Sequence, residues 1–144
     1  MAPKADLDEL RALLRDRGLR ATSSRLAVLQ HLRAHGGGQP LSHADLVERL
    51  SAGSWDPATI YRNLTDLVEA GLARRTDLGD HVWRFEVVSS GHDASGHPHF
   101  VCTECGTVEC LPAVELVAPR VKAPRAVKQH QVEVQVRGRC DACF

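Results

Sequence analysis

The feature that most limits the folds open to this chain is a cysteine spacing that occurs twice in its second half. Two residues separate Cys102 from Cys105, and two separate Cys140 from Cys143. Such pairs can place four thiolates at the corners of a tetrahedron, which is the geometry of a structural zinc site. Disulfides, a redox dithiol and buried free cysteines are the alternatives, but the repeated spacing favours zinc. We therefore expect Zn²⁺ to stabilise this half of the chain.

Length and charge narrow the class of protein further. The 144 residues suffice for one mid-sized domain or two small ones, and 18 basic residues balance 18 acidic ones. The chain as a whole lacks the basic character of many nucleic-acid-binding proteins, so a DNA-binding surface would have to be a local patch. No apolar run is long enough for a membrane span, and the first ten residues are too charged for a signal peptide. We expect a cytoplasmic protein that has no membrane partner.

The first half of the sequence predicts four helices and a hairpin. Apolar residues recur at helical spacing, and helix-capping residues precede the later runs. An alternating pattern then follows a glycine-containing turn, which is typical of a β-hairpin. The predicted landmarks are a helix over Leu7–Leu14 before Gly18, helix caps at Ser23 or Ser24, at Ser42 and at Asp56 before Pro57, and strands over 72–76 and 81–88. This order is that of a winged helix-turn-helix.

The helix that begins at Pro57 is the candidate DNA-reading helix. Its first turns are predicted to expose the polar side chains of Thr59, Tyr61, Arg62 and Asn63. Arginine and asparagine can read base edges in the major groove, and tyrosine and threonine can contact phosphates or a thymine methyl group. The same residues can equally form the solvated face of an ordinary helix, so both interpretations stay open at this point.

In the second half, the alternation over 127–136 predicts a strand with one buried face. His97 and His99 lie on the same side of an extended segment just before the first cysteine pair, where two imidazoles can bind one metal ion. Cys110 cannot join the four-cysteine site without overfilling it, so it is either a small buried residue or a ligand of a second ion. Isolated histidines such as His43 are by contrast expected at helix ends or on the surface.

Over nearly its whole length the chain resembles the ferric uptake regulator family of repressors. The resemblance rests on the order and spacing of Thr22-Ser-Ser-Arg25, Ala58-Thr-Ile-Tyr61-Arg62-Asn-Leu64 with Ala70-Gly71-Leu72, Arg84-Phe85-Glu86, His97-Pro-His99-Phe-Val-Cys102-Thr-Glu-Cys105-Gly106, and Gly138-Arg-Cys140-Asp-Ala-Cys143. It implies an α+β chain with an N-terminal winged helix-turn-helix domain over 1–88 and a C-terminal α/β dimerisation domain over 89–144 that contains the four-cysteine zinc site. A hinge at about 86–97 would join the two domains.

The resemblance also implies a homodimer on a palindromic DNA operator, controlled by a regulatory metal ion at the hinge. The implied ligands of that ion are Glu86, His97, His99 and Cys110, and Cys110 stands where the family usually has an acidic residue. The hinge histidine that iron and peroxide sensors usually add is missing, and His92 or Asp93 is a candidate to replace it. Tyr61 and Arg62 are implied to contact DNA, and Arg25 is expected to contact a phosphate group.

Two imidazoles, a carboxylate and a thiolate suit tetrahedral zinc better than octahedral iron or manganese. The expected function is therefore metal-dependent transcriptional repression, with Zn²⁺ as the favoured effector and Fe²⁺, Mn²⁺ or peroxide sensing as the alternative. Metal binding would favour the DNA-competent dimer through a higher affinity for that state. A zinc hydrolase or deaminase with Glu104 or Glu109 as its base is a distant alternative, as is a zinc-stabilised module that binds no DNA.

Overall fold

A computed structural model describes residues 4–34, 40–88, 98–111, 122–129, 132 and 134–144. The described residues up to Val88 form one compact unit, and those from Pro98 onward form another. No helix in the described ranges has the length and apolar character that crossing a bilayer requires.

The first unit contains four α-helices and a three-stranded antiparallel sheet. Its elements in chain order are α1 (Lys4–Asp16), α2 (Ser23–Ala34), β1 (Leu41–Ser42), α3 (His43–Arg49), a 3-10 turn (Ser51–Gly53), α4 (Pro57–Glu69), β2 (Ala73–Asp77) and β3 (Trp83–Val87). The strand order is β1-β3-β2, and β2 and β3 form the predicted hairpin. The predicted winged helix-turn-helix is confirmed.

Local capping sets the start of each helix in the helix-turn-helix. Ser42 and Asp45 form a reciprocal capping box at the start of α3, in which each side chain bonds the backbone of the other residue. Asp56 accepts a hydrogen bond from the Ala58 N–H, and Pro57 occupies the first turn of α4. At the start of α2, the Thr22 hydroxyl accepts a hydrogen bond from the backbone N–H of residue 25, so the cap lies one residue before the predicted serines.

An aliphatic core holds the first unit together. Leucine side chains from all four helices pack against one another and against Phe85 of β3. Each fully buried leucine contributes about 1.5–3 kcal/mol relative to an exposed one. The largest fully buried side chains of this unit are Leu10, Leu14, Val28, Leu29, Leu32, Leu46, Ile60, Leu64 and Leu67. A core of this kind needs few aromatic residues.

The second unit is a small mixed sheet with one short helix. Its elements are β4 (His99–Cys102), β5 (Val108–Cys110), α5 (Arg125–Lys128) and β6 (Gln135–Gly138). The central strand β4 pairs antiparallel with β5 and parallel with β6. The mixture of helix and sheet in both units confirms the predicted α+β class.

The prediction of one strand over 127–136 is wrong at its beginning. Val127 and Lys128 belong to α5, and β6 begins only at Gln135. Pro124 takes an extended conformation at the N-cap of α5, and arginine, alanine and lysine after it favour a helical turn. Valine alternation therefore predicts the strand correctly only at its end. Residues 130, 131 and 133 lie outside the described part of the chain.

Candidate metal centres and nucleic-acid interface

The sulfur atoms of Cys102, Cys105, Cys140 and Cys143 converge at one end of the second sheet. All four Sγ atoms lie within 4.8 Å of one another, and those of Cys105 and Cys140 are 3.7 Å apart. Zinc–sulfur bonds of about 2.3 Å place tetrahedral sulfurs about 3.8 Å from one another, so the observed separation fits Zn²⁺. Because β4 and β6 run parallel, their carboxyl ends bring the two cysteine pairs to the same edge.

The backbone around the cluster has the geometry of a metal-binding turn. Gly106 has a φ of +74°, in the left-handed region that favours glycine, and its N–H donates to the Cys102 carbonyl at 3.1 Å. The Cys140 N–H is 3.4 Å from the Cys102 sulfur, to which it donates a hydrogen bond. Such N–H donors stabilise a thiolate, which is the form of cysteine that binds metal.

The electrostatics of the cluster also favour a bound cation. A hydrogen bond from the backbone N–H of Cys105, followed by one from Cys140, lowers the pKa of Cys102 to about 6. The hydrogen bond with the Cys140 side chain, followed by that with Cys105, raises the pKa of Cys143 to about 12. Neighbouring thiols thus cannot all ionise together, because each thiolate disfavours the next. A divalent cation removes this conflict and lets all four sulfurs bind as thiolates.

A second group of potential metal ligands lies within the same sheet. His99 of β4 and Cys110 of β5 are direct register partners. The N–H of Leu111 donates to the carbonyl of Pro98 at 2.8 Å, which makes His99 and Cys110 a non-hydrogen-bonded pair, the type with the closer side chains. A ring nitrogen of His99 and the Cys110 sulfur lie within 4.8 Å of each other. Only 2% of His99 is exposed. The pair offers an imidazole and a thiolate to one ion.

The remaining predicted ligands of the regulatory ion belong to other parts of the chain. Glu86 lies in β3 of the first unit, where its register partner is Arg74 of β2. His97 and the replacement candidates His92 and Asp93 lie outside the described residues.

Helix α4 exposes part of the predicted DNA-contacting face. Tyr61 is 45% exposed, Arg62 is exposed and Thr59 is half-buried. The buried face of the same helix carries Ile60 and Leu64. The exposed phenol and guanidinium can bind phosphates or the edges of bases.

The prediction that Asn63 is exposed is wrong. Only 5% of Asn63 is accessible, and its Nδ2 donates to the Ser24 hydroxyl of α2 at 3.0 Å. Asn63 stands three residues after Ile60 and four before Leu67, which is the spacing of the buried face of α4. That spacing could have identified Asn63 as an interior residue, but its polar side chain suggests exposure when considered alone.

Arg25 is held by contacts within the first unit. Its Nη2 lies 2.5 Å from Oδ2 of Asp66 in α4, and its Nη1 donates to the Arg20 carbonyl at 2.8 Å. The side chain is 13% exposed. Arg25 therefore joins α2 to α4 directly. Sequence analysis misses this role, because 41 residues separate the two partners and no local pattern connects them.

Comparison with known proteins places these features in one family. The sequence model of the ferric uptake regulator family matches residues 16–137. The peroxide operon regulator of Bacillus subtilis is 30% identical over 148 residues, which cover 96% of this chain and 93% of that protein. The Vibrio cholerae ferric uptake regulator has the same fold, with a TM-score of 0.64, 24% identity, and coverage of 90% of this chain and 98% of that one. A zinc uptake regulator complexed with zinc and DNA matches with a TM-score of 0.60 and 20% identity, covering 97% and 93%.

Proposed function

Because the chain belongs to the ferric uptake regulator family, whose members are metal-responsive transcriptional regulators, we propose that it is a DNA-binding repressor with Zn²⁺ as its effector. The observation that carries the choice of zinc is the position of Cys110 directly opposite His99. Membership of the family identifies the chain as a regulator, so the zinc hydrolase and deaminase alternatives are set aside.

The thiol is what favours zinc at the regulatory site. Thiolate and imidazole are ligands that tetrahedral Zn²⁺ binds well, whereas Mn²⁺ prefers carboxylates, carbonyls and water in octahedral geometry. His99 is buried beside Cys110, so an ion between them would lose most of its hydration shell. Tetrahedral zinc needs fewer ligands than octahedral iron or manganese to make up for that loss. Glu86 and His97 stay predictions as the remaining ligands.

The four-cysteine cluster is proposed to hold a second, structural Zn²⁺. Four sulfurs complete a tetrahedral shell and leave no open position, which is typical of structural rather than catalytic zinc. The close approach of the sulfur atoms of Cys105 and Cys140 supports this assignment.

DNA binding is proposed for α4 in the major groove, with Tyr61 and Arg62 in contact with DNA and with Arg62 and Thr59 close to the phosphates. We propose that Arg25 acts indirectly, because its guanidinium is engaged by Asp66 within the first unit. Two copies of the chain would read the two halves of a palindromic operator, as helix-turn-helix dimers do. Binding of the effector would favour the dimer state that matches the half-site spacing.

A selection experiment tests the proposal. The protein, with zinc in its four-cysteine site, selects duplexes from a random DNA library, and anisotropy titrations then measure affinity for the selected duplex with added Zn²⁺, Mn²⁺ or Fe²⁺. We expect zinc to increase the affinity about 5- to 150-fold, the usual range of allosteric coupling, and to exceed the other two ions.

Substitution of Cys110 completes the test. Cys110→Ser should weaken the zinc response most, and Glu109→Gln, an exposed change on the same strand, should leave it unchanged. An unaltered zinc response in Cys110→Ser would contradict the role of the thiolate. A dominant response to Fe²⁺ that peroxide abolishes would instead favour a peroxide regulator, a possibility raised by the relative from Bacillus subtilis.

A further inference from the structure

His43 makes two contacts with the N-terminal turn of α4. It is the first residue of α3, and its ring meets the ring of Tyr61 edge to face, with centroids 5.4 Å apart and an interplanar angle of 82°. This is the geometry that aromatic pairs prefer. Its Nε2 also lies 2.8 Å from the carbonyl oxygen of Pro57, to which it donates a hydrogen bond.

The two contacts act on one turn of α4. In an α-helix the carbonyl of residue 57 accepts the N–H of residue 61, so the carbonyl that His43 contacts is the one that holds the backbone of Tyr61. His43 thus supports both the backbone and the ring of Tyr61. Its own position is fixed by the capping box, in which the Asp45 N–H is 3.1 Å from the Ser42 hydroxyl.

We propose that His43 is a positioning residue that holds the Tyr61 ring in the orientation in which it meets DNA. The inference rests on the proposed function, because it requires Tyr61 to contact the operator. Tyr61 is 45% exposed, and an exposed side chain loses rotamer freedom when it binds. A ring that is already held loses less, which increases affinity without a new contact to DNA.

A double-mutant cycle measures this coupling. The zinc-loaded full chain is titrated with the duplex selected above, as wild type, His43→Ala, Tyr61→Ala and the double variant. Aromatic pairs of this geometry correspond to roughly 2- to 10-fold in an equilibrium constant, so His43→Ala should weaken binding by about that factor. In the Tyr61→Ala background, the same change at His43 should have no further effect.

Two further variants separate positioning from folding. His43→Phe retains an aromatic edge and should restore most of the affinity. His43→Gln retains a hydrogen-bond donor but lacks the ring, so it should bind as weakly as His43→Ala and serves in its place if the alanine variant does not fold. The matched control is His31→Ala, because His31 contacts a carbonyl of its own helix, that of Ala27, and should leave affinity unchanged.

An independent measurement reports on the ring itself. Tyr61 is the only tyrosine in the sequence, so fluorotyrosine labelling gives one ¹⁹F signal that belongs to it alone. In DNA-free protein this signal should move toward the value of free fluorotyrosine in His43→Ala and His43→Gln, and stay in place in His31→Ala.

The outcomes distinguish this inference from the proposed function. Equal effects of His43→Ala in the presence and absence of the Tyr61 ring would overturn the positioning role alone. An unmoved ¹⁹F signal in both His43 variants would do the same. If Tyr61→Ala binds the selected duplex as tightly as wild type, the proposed DNA contact of α4 through Tyr61 is wrong, and the inference fails with it.

Discussion

Asn63 of α4 donates a hydrogen bond to Ser24 of α2 at 3.0 Å, and both side chains are buried. Next to it, the guanidinium of Arg25 bonds the carboxylate of Asp66. Polar contacts therefore join α4 to α2 at two successive turns. Because hydrogen bonds depend on distance and angle, these pairs keep their energy at one relative position of the two helices only.

Removing the buried amide should destabilise the first unit. Asn63→Ala leaves a cavity and removes the donor to Ser24, so we expect the free energy of unfolding to fall by about 1–3 kcal/mol. Urea denaturation followed by circular dichroism measures the change. Arg62→Ala is the control on the exposed face of the same helix and should cost less than about 0.5 kcal/mol. An equal cost for the two variants would contradict the structural role of Asn63.

Salt dependence of DNA binding should separate the two arginines. A residue that contacts a phosphate releases counterions, so its loss reduces the slope of log affinity against log salt by about 1. We expect this reduction for Arg62→Ala. Arg25→Ala should lower both affinity and thermal stability but leave the slope unchanged, because its guanidinium is bound to Asp66. A reduced slope in Arg25→Ala would show that Arg25 reaches the phosphates after all.

The hairpin carries an ion pair that should make stability depend on pH. Arg84 donates to the two carboxylate oxygens of Asp80 at 2.9 and 2.7 Å, and this hydrogen bonding lowers the pKa of Asp80 from its usual 3.8 to about 2. A lowered pKa in the folded state gives stability that is present above about pH 4 and is lost as pH falls toward 2. Because Asp80 is 46% exposed, solvent screening limits the effect to about 1 kcal/mol or less.

Asp80→Asn tests that contribution. The variant should be less stable than wild type at pH 7, and the difference should shrink as pH falls from 4 and vanish below pH 2, as measured by urea denaturation across this range. Asp8→Asn is the control, because Asp8 has a single exposed contact with Arg11 and should cost a few tenths of a kcal/mol. A difference for Asp80→Asn that does not shrink as pH falls from 4 to below 2 would exclude the ion pair as its cause.

Removal of metal should loosen the second unit selectively. A zinc chelator takes away the ion that would hold the four sulfurs, so the amides beside the cluster should lose protection from hydrogen exchange. The informative amides are those of Cys102 and Thr103, which donate to Thr107 and Gly138 at 2.8 Å each. Amides in α4 should keep their protection. Unchanged exchange at Cys102 and Thr103 would mean that the cluster is stable without metal.

The helices of the first unit are predictable because their signals are local. Apolar periodicity and capping residues such as Ser42 and Asp56 lie within a few residues of each boundary. The strand β1 is missed because it has two residues and depends on β3, whose residue Phe85 pairs with Leu41 from far along the chain. The prediction for Asn63 is wrong because its polar side chain suggests exposure, whereas its spacing along α4 indicates burial.

The difference between local signals and contacts of distant residues also decides which parts of the candidate sites are predictable. The convergence of the cysteines can be anticipated from spacing, since each pair is local and a tetrahedral ion needs both. That Cys110 lies opposite His99 follows from the register of β4 and β5, which the turn between them fixes and the residue types do not. Contacts such as those of Arg25 with Asp66 and His43 with Tyr61 depend on the packing of separate helices, and only the folded chain reveals them.

The parallel pairing of β4 with β6 makes the two ends of the small sheet unequal. At the Cys102 end, an ion bound by the four cysteines would cross-link β4 and β6. The His99 end is joined by main-chain hydrogen bonds and, in the proposed function, by an effector ion between His99 and Cys110. The sheet would thus be cross-linked at its Cys102 end only. A cation that binds at the His99 end therefore has more freedom to alter the spacing of the strands there.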